Sequence, residues 1–187
     1  MNNTVQSTPV SSSQNQKSEK KYEFTGETIE VGFKTLRRIR ALRDFGDVKK
    51  GDLGGFIQGE SNLSHEGNCW VGGKAKVYSN ARVYGKAVVA GNIYGNAQVY
   101  GFARIYPDAH IFDNAHVHFY ACVFNKTKIY DNAKISGYAC IFPNVKIFRN
   151  AVIKGDTWVR DNIETCSKET VDNDQSLKND QSIKEAA

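Results

Sequence analysis

Residues 95–148 read GNAQVY, GFARIY, PDAHIF, DNAHVH, FYACVF, NKTKIY, DNAKIS, GYACIF and PNVKIF, hexads whose fifth residue is always Val or Ile and whose third is nearly always Ala. The third and fifth positions of an extended chain point to the same face, because side chains alternate with period two. The first two positions are rich in Gly, Asn, Asp and Pro, residues that accept a positive φ or a fixed turn geometry. Each hexad therefore reads as a strand of about four residues and a two-residue corner. One such strand cannot bury its apolar face alone. A stack of them can, if the chain coils so that equivalent strands lie about 4.8 Å apart around a narrow core.

Outward from this stretch the pattern runs from Ser61 to Cys166 as eighteen units, one of which, GNIY at 91–94, is two residues short. The fifth position is Val or Ile in sixteen of them and fails only at His65 and Thr165, in the two end units. Assigning every third unit to one wall places Asn62, Asn80, Asn96, Asn114, Asn132 and Asn150 at equivalent corners, whereas Asn fills that position in four of the other twelve units. The periodicity selects three walls and about six coils of 18 residues, roughly 29 Å long. Leucine is nearly absent after Leu63, as a core too narrow for it requires.

The flanks differ. Residues 1–20 are mostly Ser, Gln, Asn and Lys, with too little to bury to offset about 1–2 kcal/mol per residue of ordering entropy, and are expected to form a disordered tail. Residues 167–187 are likewise expected to be a polar, disordered tail. Residues 21–60 lack the hexad. There Tyr22 to Val31 and Lys34 to Leu42 alternate as two strands joined near Gly32, although Leu36, Ile39, Leu42 and Phe45 would also line a helix face. The preferred reading is a small β cap over the open end of the coil, where an unpaired edge would invite aggregation. Residues 21–166 carry 20 basic and 14 acidic side chains, so this body is mildly basic. No stretch reaches the roughly 18 apolar residues of a membrane span, and MNNTVQSTPVSSSQNQ has no basic n-region followed by an apolar h-region, so a spanning or secreted protein is not expected. Cys69, Cys122, Cys140 and Cys166 form neither a metal motif nor a disulfide framework, which points to a reducing, cytoplasmic setting.

The units resemble the hexapeptide-repeat superfamily, in which an aliphatic residue is followed four positions later by a small one, as in Val83 then Ala87 or Val99 then Ala103. The resemblance covers residues 61–166 and implies an all-β fold, a left-handed parallel β-helix; the handedness comes from the resemblance alone. One departure is that Tyr or Phe, not Gly, follows the aliphatic residue in ten of the eighteen units. From Leu36 to Val71 the chain, with RIRALRDFGDVKKGDLGGFI and ESNLSHEGNCWV, is similar to hexapeptide-repeat proteins carried by phages, prophages and bacterial genomes. That similarity brings no established reaction and allows an infected host cell as the setting.

Four groups of residues are candidates for function. The superfamily includes acyltransferases that use a histidine base between subunits. His116 and His118, two apart on one strand, are the weak catalytic candidates; the simpler reading leaves them, with His110 and His65, as solvated or interface rings. No metal site and no cofactor are expected. Outward aromatics form the second group: Tyr106, Phe124 and Phe142; Phe112, Tyr130 and Phe148; and, at a corner with Phe119 beside it, Phe102, Tyr120 and Tyr138. Stacked rings support neighbouring coils, and together they can mark a surface for a dimer, a trimer or a protein partner. Third, Arg37, Arg38, Arg40 and Arg43 are a candidate anion or nucleotide site, aided by the backbone of GDLGG at 51–55; balanced by nearby Asp residues, they are otherwise a solvated face. Basic residues elsewhere are scattered among the walls, so nucleic acid is not an expected partner. Fourth, Cys122 and Cys140 should be outward neighbours on successive coils. The expectation is a non-catalytic binding or scaffold protein, possible in a phage setting as an antagonist of a host component; the alternatives are an acyltransferase and a nucleotide-sequestering protein.

Overall fold

A computed structural model describes residues 19–160 and 164–166, together with the strands Thr170–Val171 and Ser176–Leu177. Residues 1–18, the greater part of the expected N-terminal tail, lie outside the described residues. From Trp70 onward the fourth and fifth positions of each hexad form a two-residue strand, and these strands sort into three parallel walls. The first wall stacks Lys76–Val77, Asn92–Ile93, His110–Ile111, Lys128–Ile129, Lys146–Ile147 and Glu164–Thr165. The second stacks Arg82–Val83, Gln98–Val99, His116–Val117, Lys134–Ile135, Val152–Ile153 and Thr170–Val171. The third runs from Trp70–Val71 through Val88–Val89, Arg104–Ile105, Cys122–Val123, Cys140–Ile141 and Trp158–Val159 to Ser176–Leu177. Partners lie one 18-residue coil apart, as with Val117 opposite Ile135. Across the short unit the spacing drops to sixteen, as with Val83 opposite Val99.

The period-two alternation decides what is inside. Third-position alanines and fifth-position Val and Ile are essentially solvent-free from Ala75 to Val159. Each enclosed Val or Ile contributes about 1.5–3 kcal/mol of hydrophobic stabilisation. Thr127 and Thr157 replace alanine inside, and each satisfies its hydroxyl by donating to a carbonyl, Thr127 to Phe142 at 2.8 Å and Thr157 to Lys154 at 2.6 Å.

Two kinds of corner join the walls. Between the third and first walls the left-handed residue is first only at Gly73 among the described residues, and second in three coils, where Asp108, Lys126 and Asn144 have φ of 60°, 59° and 66°. That arrangement, as in a type II turn, accepts proline at the preceding position, where Pro107 and Pro143 stand. At the other corners the left-handed residue comes first, as at Asp113 and Asp131. The asparagine column lies between the first and second walls and forms a side-chain ladder. Asn80 donates to Asn96 at 3.0 Å, Asn96 to Asn114 at 2.9 Å, and Asn114 to Asn132 and Asn132 to Asn150 at 3.2 Å. Asn62, at the top of the column, is instead buried: its amide donates to the carbonyls of Ser79 and Ala81, and its oxygen accepts the Gly59 N–H.

The cap is strand, not helix. β1 (Tyr22–Val31) and β2 (Lys34–Ala41) form an antiparallel hairpin that turns at Gly32, φ 59°. β3 (Leu53–Ile57) pairs antiparallel with β2 and parallel with Lys76–Val77. The cap therefore continues the first wall as a single nine-stranded sheet, and converts the parallel edge of the coil into an antiparallel one. Its apolar residues Tyr22, Ile39, Ala41 and Phe45 close the mouth of the core, with Phe45 edge-on to Trp70 at 5.5 Å. At the other end the ladder passes Cys166: Thr170–Val171 and Ser176–Leu177 pair with the second and third walls. Part of the expected C-terminal tail thus carries strand, and SKETVD and NDQSLK keep an aliphatic fifth residue, Val171 and Leu177. The remainder of 167–187 lies outside the described residues.

Candidate functional site

The sixth position of a unit and the second position of the next point outward, so rings at those places meet their equivalents one coil away. The three expected ladders all form. Phe112 stacks on Tyr130 at 4.9 Å and Tyr130 on Phe148 at 5.1 Å, and this column reaches back through Tyr94 to Tyr78. Tyr106 stacks on Phe124 at 4.6 Å and Phe124 on Phe142 at 5.4 Å. Phe102, Tyr120 and Tyr138 stack at 4.7 and 4.9 Å. A fourth column, Tyr84, Tyr100 and His118, has both spacings at 4.7 Å.

The ladders differ in exposure. Rings at the sixth position lie half-buried along the walls, whereas Phe102, Tyr120 and Tyr138 project from the corner between the second and third walls, 42–61% exposed. Phe119 stands beside them, 57% exposed, with a left-handed φ of 58°. Equivalent corners in the coils before and after carry Gly85, Gly101, Gly137 and Gly155, all at positive φ. Phenylalanine takes that backbone shape only against its Cβ, at a cost of roughly 1–2 kcal/mol.

The histidines do not converge. His118 is a rung of the fourth ladder, His116 meets Tyr100 edge-on at 6.5 Å, and His110 lies on another wall against Tyr94. No side-chain hydrogen bond orients these three rings among the described residues. His65 sits under the cap, stacked on Tyr22 at 4.2 Å, and its Nδ1 accepts the Lys21 N–H at 3.3 Å. Burial is the leading cause that holds all four below the ordinary histidine value of 6.5; Lys128, Lys134 and His116 add repulsion at His110, His116 and His118 respectively. The unfolded chain therefore binds more protons than the native one in acid. Stability is fully present above pH 6.5 and falls as pH drops below it. Urea midpoints at pH 7.5 and pH 5.5 check this; equal midpoints would contradict the burial of these rings.

The arginines do not form one anion site either. Arg38 and Arg40 are paired with Glu27 and Glu23 of β1, Arg37 stacks on Phe24 at 3.6 Å, and Arg43 lies beyond the strand against Phe45. In GDLGG, the Gly51 and Asp52 N–H groups donate to the carbonyls of Ala41 and Lys49. Gly54 and Gly55 are buried, with Trp70 and Val71 where a side chain would be. Alternation along β2 and pairing with β1 separate what is contiguous in sequence. Cys122 and Cys140 are ladder neighbours with free thiols. Among the described residues no group of His, Cys, Asp and Glu is placed to hold a metal ion, and no helix is long and apolar enough to cross a membrane.

No protein-family model matches the chain. A segment of 36 residues is 53% identical to the uncharacterized acetyltransferase YdcK of Escherichia coli (strain K12), covering 19% of this chain and 11% of that protein. The chain thus spans a small part of this relative. Three parallel walls, 18-residue coils and inward Ala and Val or Ile make the protein a parallel β-solenoid built from six-residue units, and the partial likeness to an acetyltransferase is consistent with that.

Proposed function

We propose that the protein is a binding scaffold that self-associates through the aromatic corner between its second and third walls. The observation that carries this reading is Phe119: a strained backbone, in a column otherwise glycine, presents an exposed ring beside three more. Strain of this kind marks a surface with a role besides stability, and clustered exposed aromatics favour association. A protein partner, which in a phage or prophage setting would be a host component, would dock on the same corner. Free cysteines fit a cytoplasmic site of action.

Phe119→Gly is expected to raise the unfolding free energy of the monomer by up to about 1 kcal/mol, since relief of the left-handed strain exceeds the added chain entropy of glycine. Combined with Tyr138→Ser, it is expected to shift a dimer or trimer toward monomer in sedimentation velocity. A wild-type protein that is monomeric at micromolar concentration would overturn the self-association.

The likeness to an acetyltransferase favours a second reading, acyl transfer at a subunit boundary with His116 or His118 as base. Burial lowers both rings below the ordinary histidine value, which favours the neutral form a base needs, although among the described residues no side-chain hydrogen bond orients them. A thermal-shift titration separates the readings: stabilisation by coenzyme A supports transfer, and its absence in an associating protein supports the scaffold.

A further inference from the structure

At the closed mouth of the coil Lys21 and Cys69 meet with neither side chain accessible to solvent. Lys21 Nζ lies 3.1 Å from Cys69 Sγ and donates to the Cys69 carbonyl at 2.8 Å; the carbonyls of Glu66 and Gly67 stand at 3.4 Å. Around the sulfur, the carbonyls of Ser64, Glu66 and Val83 lie at 3.6–3.7 Å. Among the described residues every other hydrogen-bond partner of the two side chains is a backbone oxygen and no carboxylate pairs with the amine, which lies 5.2 Å from the centre of the Phe45 ring. Burial holds the Lys21 ammonium below its usual range and pushes the Cys69 thiol up, in each case against the attraction of the partner. Both shifts run toward the uncharged amine and thiol. Cys122 and Cys140 project outward on later coils, so the atom in reach of Cys69 is the lysine nitrogen.

We propose that Lys21 and Cys69 are a covalent modification site, joined by a nitrogen–oxygen–sulfur bridge with dioxygen as the oxidant. In the overall step the S–H bond and one N–H bond break, and one oxygen atom inserts to form N–O and O–S bonds. The other oxygen leaves as water with both hydrogens. Nitrogen and sulfur each give up two electrons and dioxygen takes all four. Dioxygen is small and apolar enough to enter a dry, carbonyl-lined site that excludes the bulk water needed to hydrolyse oxidised sulfur. The bridge ties the first residue of the cap to the first coil, across 48 residues of chain, and restricts the unfolded state as a disulfide of that span would.

Full-length protein held under dioxygen, then denatured and weighed by mass spectrometry, is expected to gain one oxygen and lose two hydrogens. Peptide mapping is expected to link residue 21 to residue 69, with Cys69 closed to alkylation. Dithiothreitol reverses the change and lowers the thermal midpoint. Cys122→Ser retains the mass gain, and Lys21→Met and Cys69→Ser abolish it. If either of the latter fails to fold, the wild-type mass and map decide alone. An unchanged mass under dioxygen overturns the bridge, as does Cys69 carrying two or three oxygens beside an unmodified Lys21.

Discussion

Gly91→Ala is expected to cost about 2–3 kcal/mol of unfolding free energy, the range of an overpacked core with fixed walls. Gly91 opens the four-residue unit, which keeps its strand, Asn92–Ile93, and lacks the two corner residues of its neighbours. Without a corner the chain passes directly from the third wall to the first, and Gly91 falls at the inward position that alanine holds elsewhere. A methyl group there would sit 2.6 Å from the Ala109 oxygen and 2.9 Å from both Ile105 Cγ2 and the Tyr106 oxygen. Those oxygens cannot retreat: Ala109 accepts the Asn92 N–H at 2.8 Å, and Tyr106 accepts the N–H of Ala109. Gly26→Ala is the control, since nothing lies within 4 Å of its added carbon and the change should stay within about 0.5 kcal/mol. Urea unfolding of the two variants measures the difference; equal midpoints would show that the short corner has slack.

Ile129→Ala is expected to cost about 2–4 kcal/mol, whereas Lys128→Ala, one residue earlier on the same strand, should cost less than about 0.5 kcal/mol. Ile129 is wholly buried between Ile111 and Ile147, and Lys128 is exposed. A core only a few side chains across has little freedom to collapse into a cavity, because each wall is held by ladders to the coils above and below. The same urea series tests the pair. Comparable losses would mean that strand propensity, and not the inward position, sets the energetics.

The hexad determines the walls because alternation, corner residues and ring stacking all act over distances of one coil or less. From Asn80 to Asn150 the equivalence of corners is visible in the amino acids, and the structure adds the hydrogen bonds that follow from placing identical amides one strand spacing apart. The aromatic ladders are legible for the same reason. The continuation through Val171 and Leu177 is present in the sequence too, hidden by the polar residues around it.

The candidate sites are a different case. Arg37, Arg38, Arg40 and Arg43 are dense in sequence and dispersed in space, because a strand sends neighbours to opposite faces and the register with β1 supplies Glu23 and Glu27 as partners. His116 and His118 are neighbours in sequence, yet the ladder claims His118 as a stacked ring while His116 stands edge-on to Tyr100. Lys21 and Cys69 carry no common motif; only the folding of the hairpin over the open coil drives a lysine into a dry mouth beside a thiol. By itself the amino-acid sequence determined a three-walled, parallel, hexad-built coil and its outward rings, since these repeat locally. The tertiary structure alone decided how the cap closes the coil and which of the cap's charges are paired, since each depends on a contact between segments that no repeat relates.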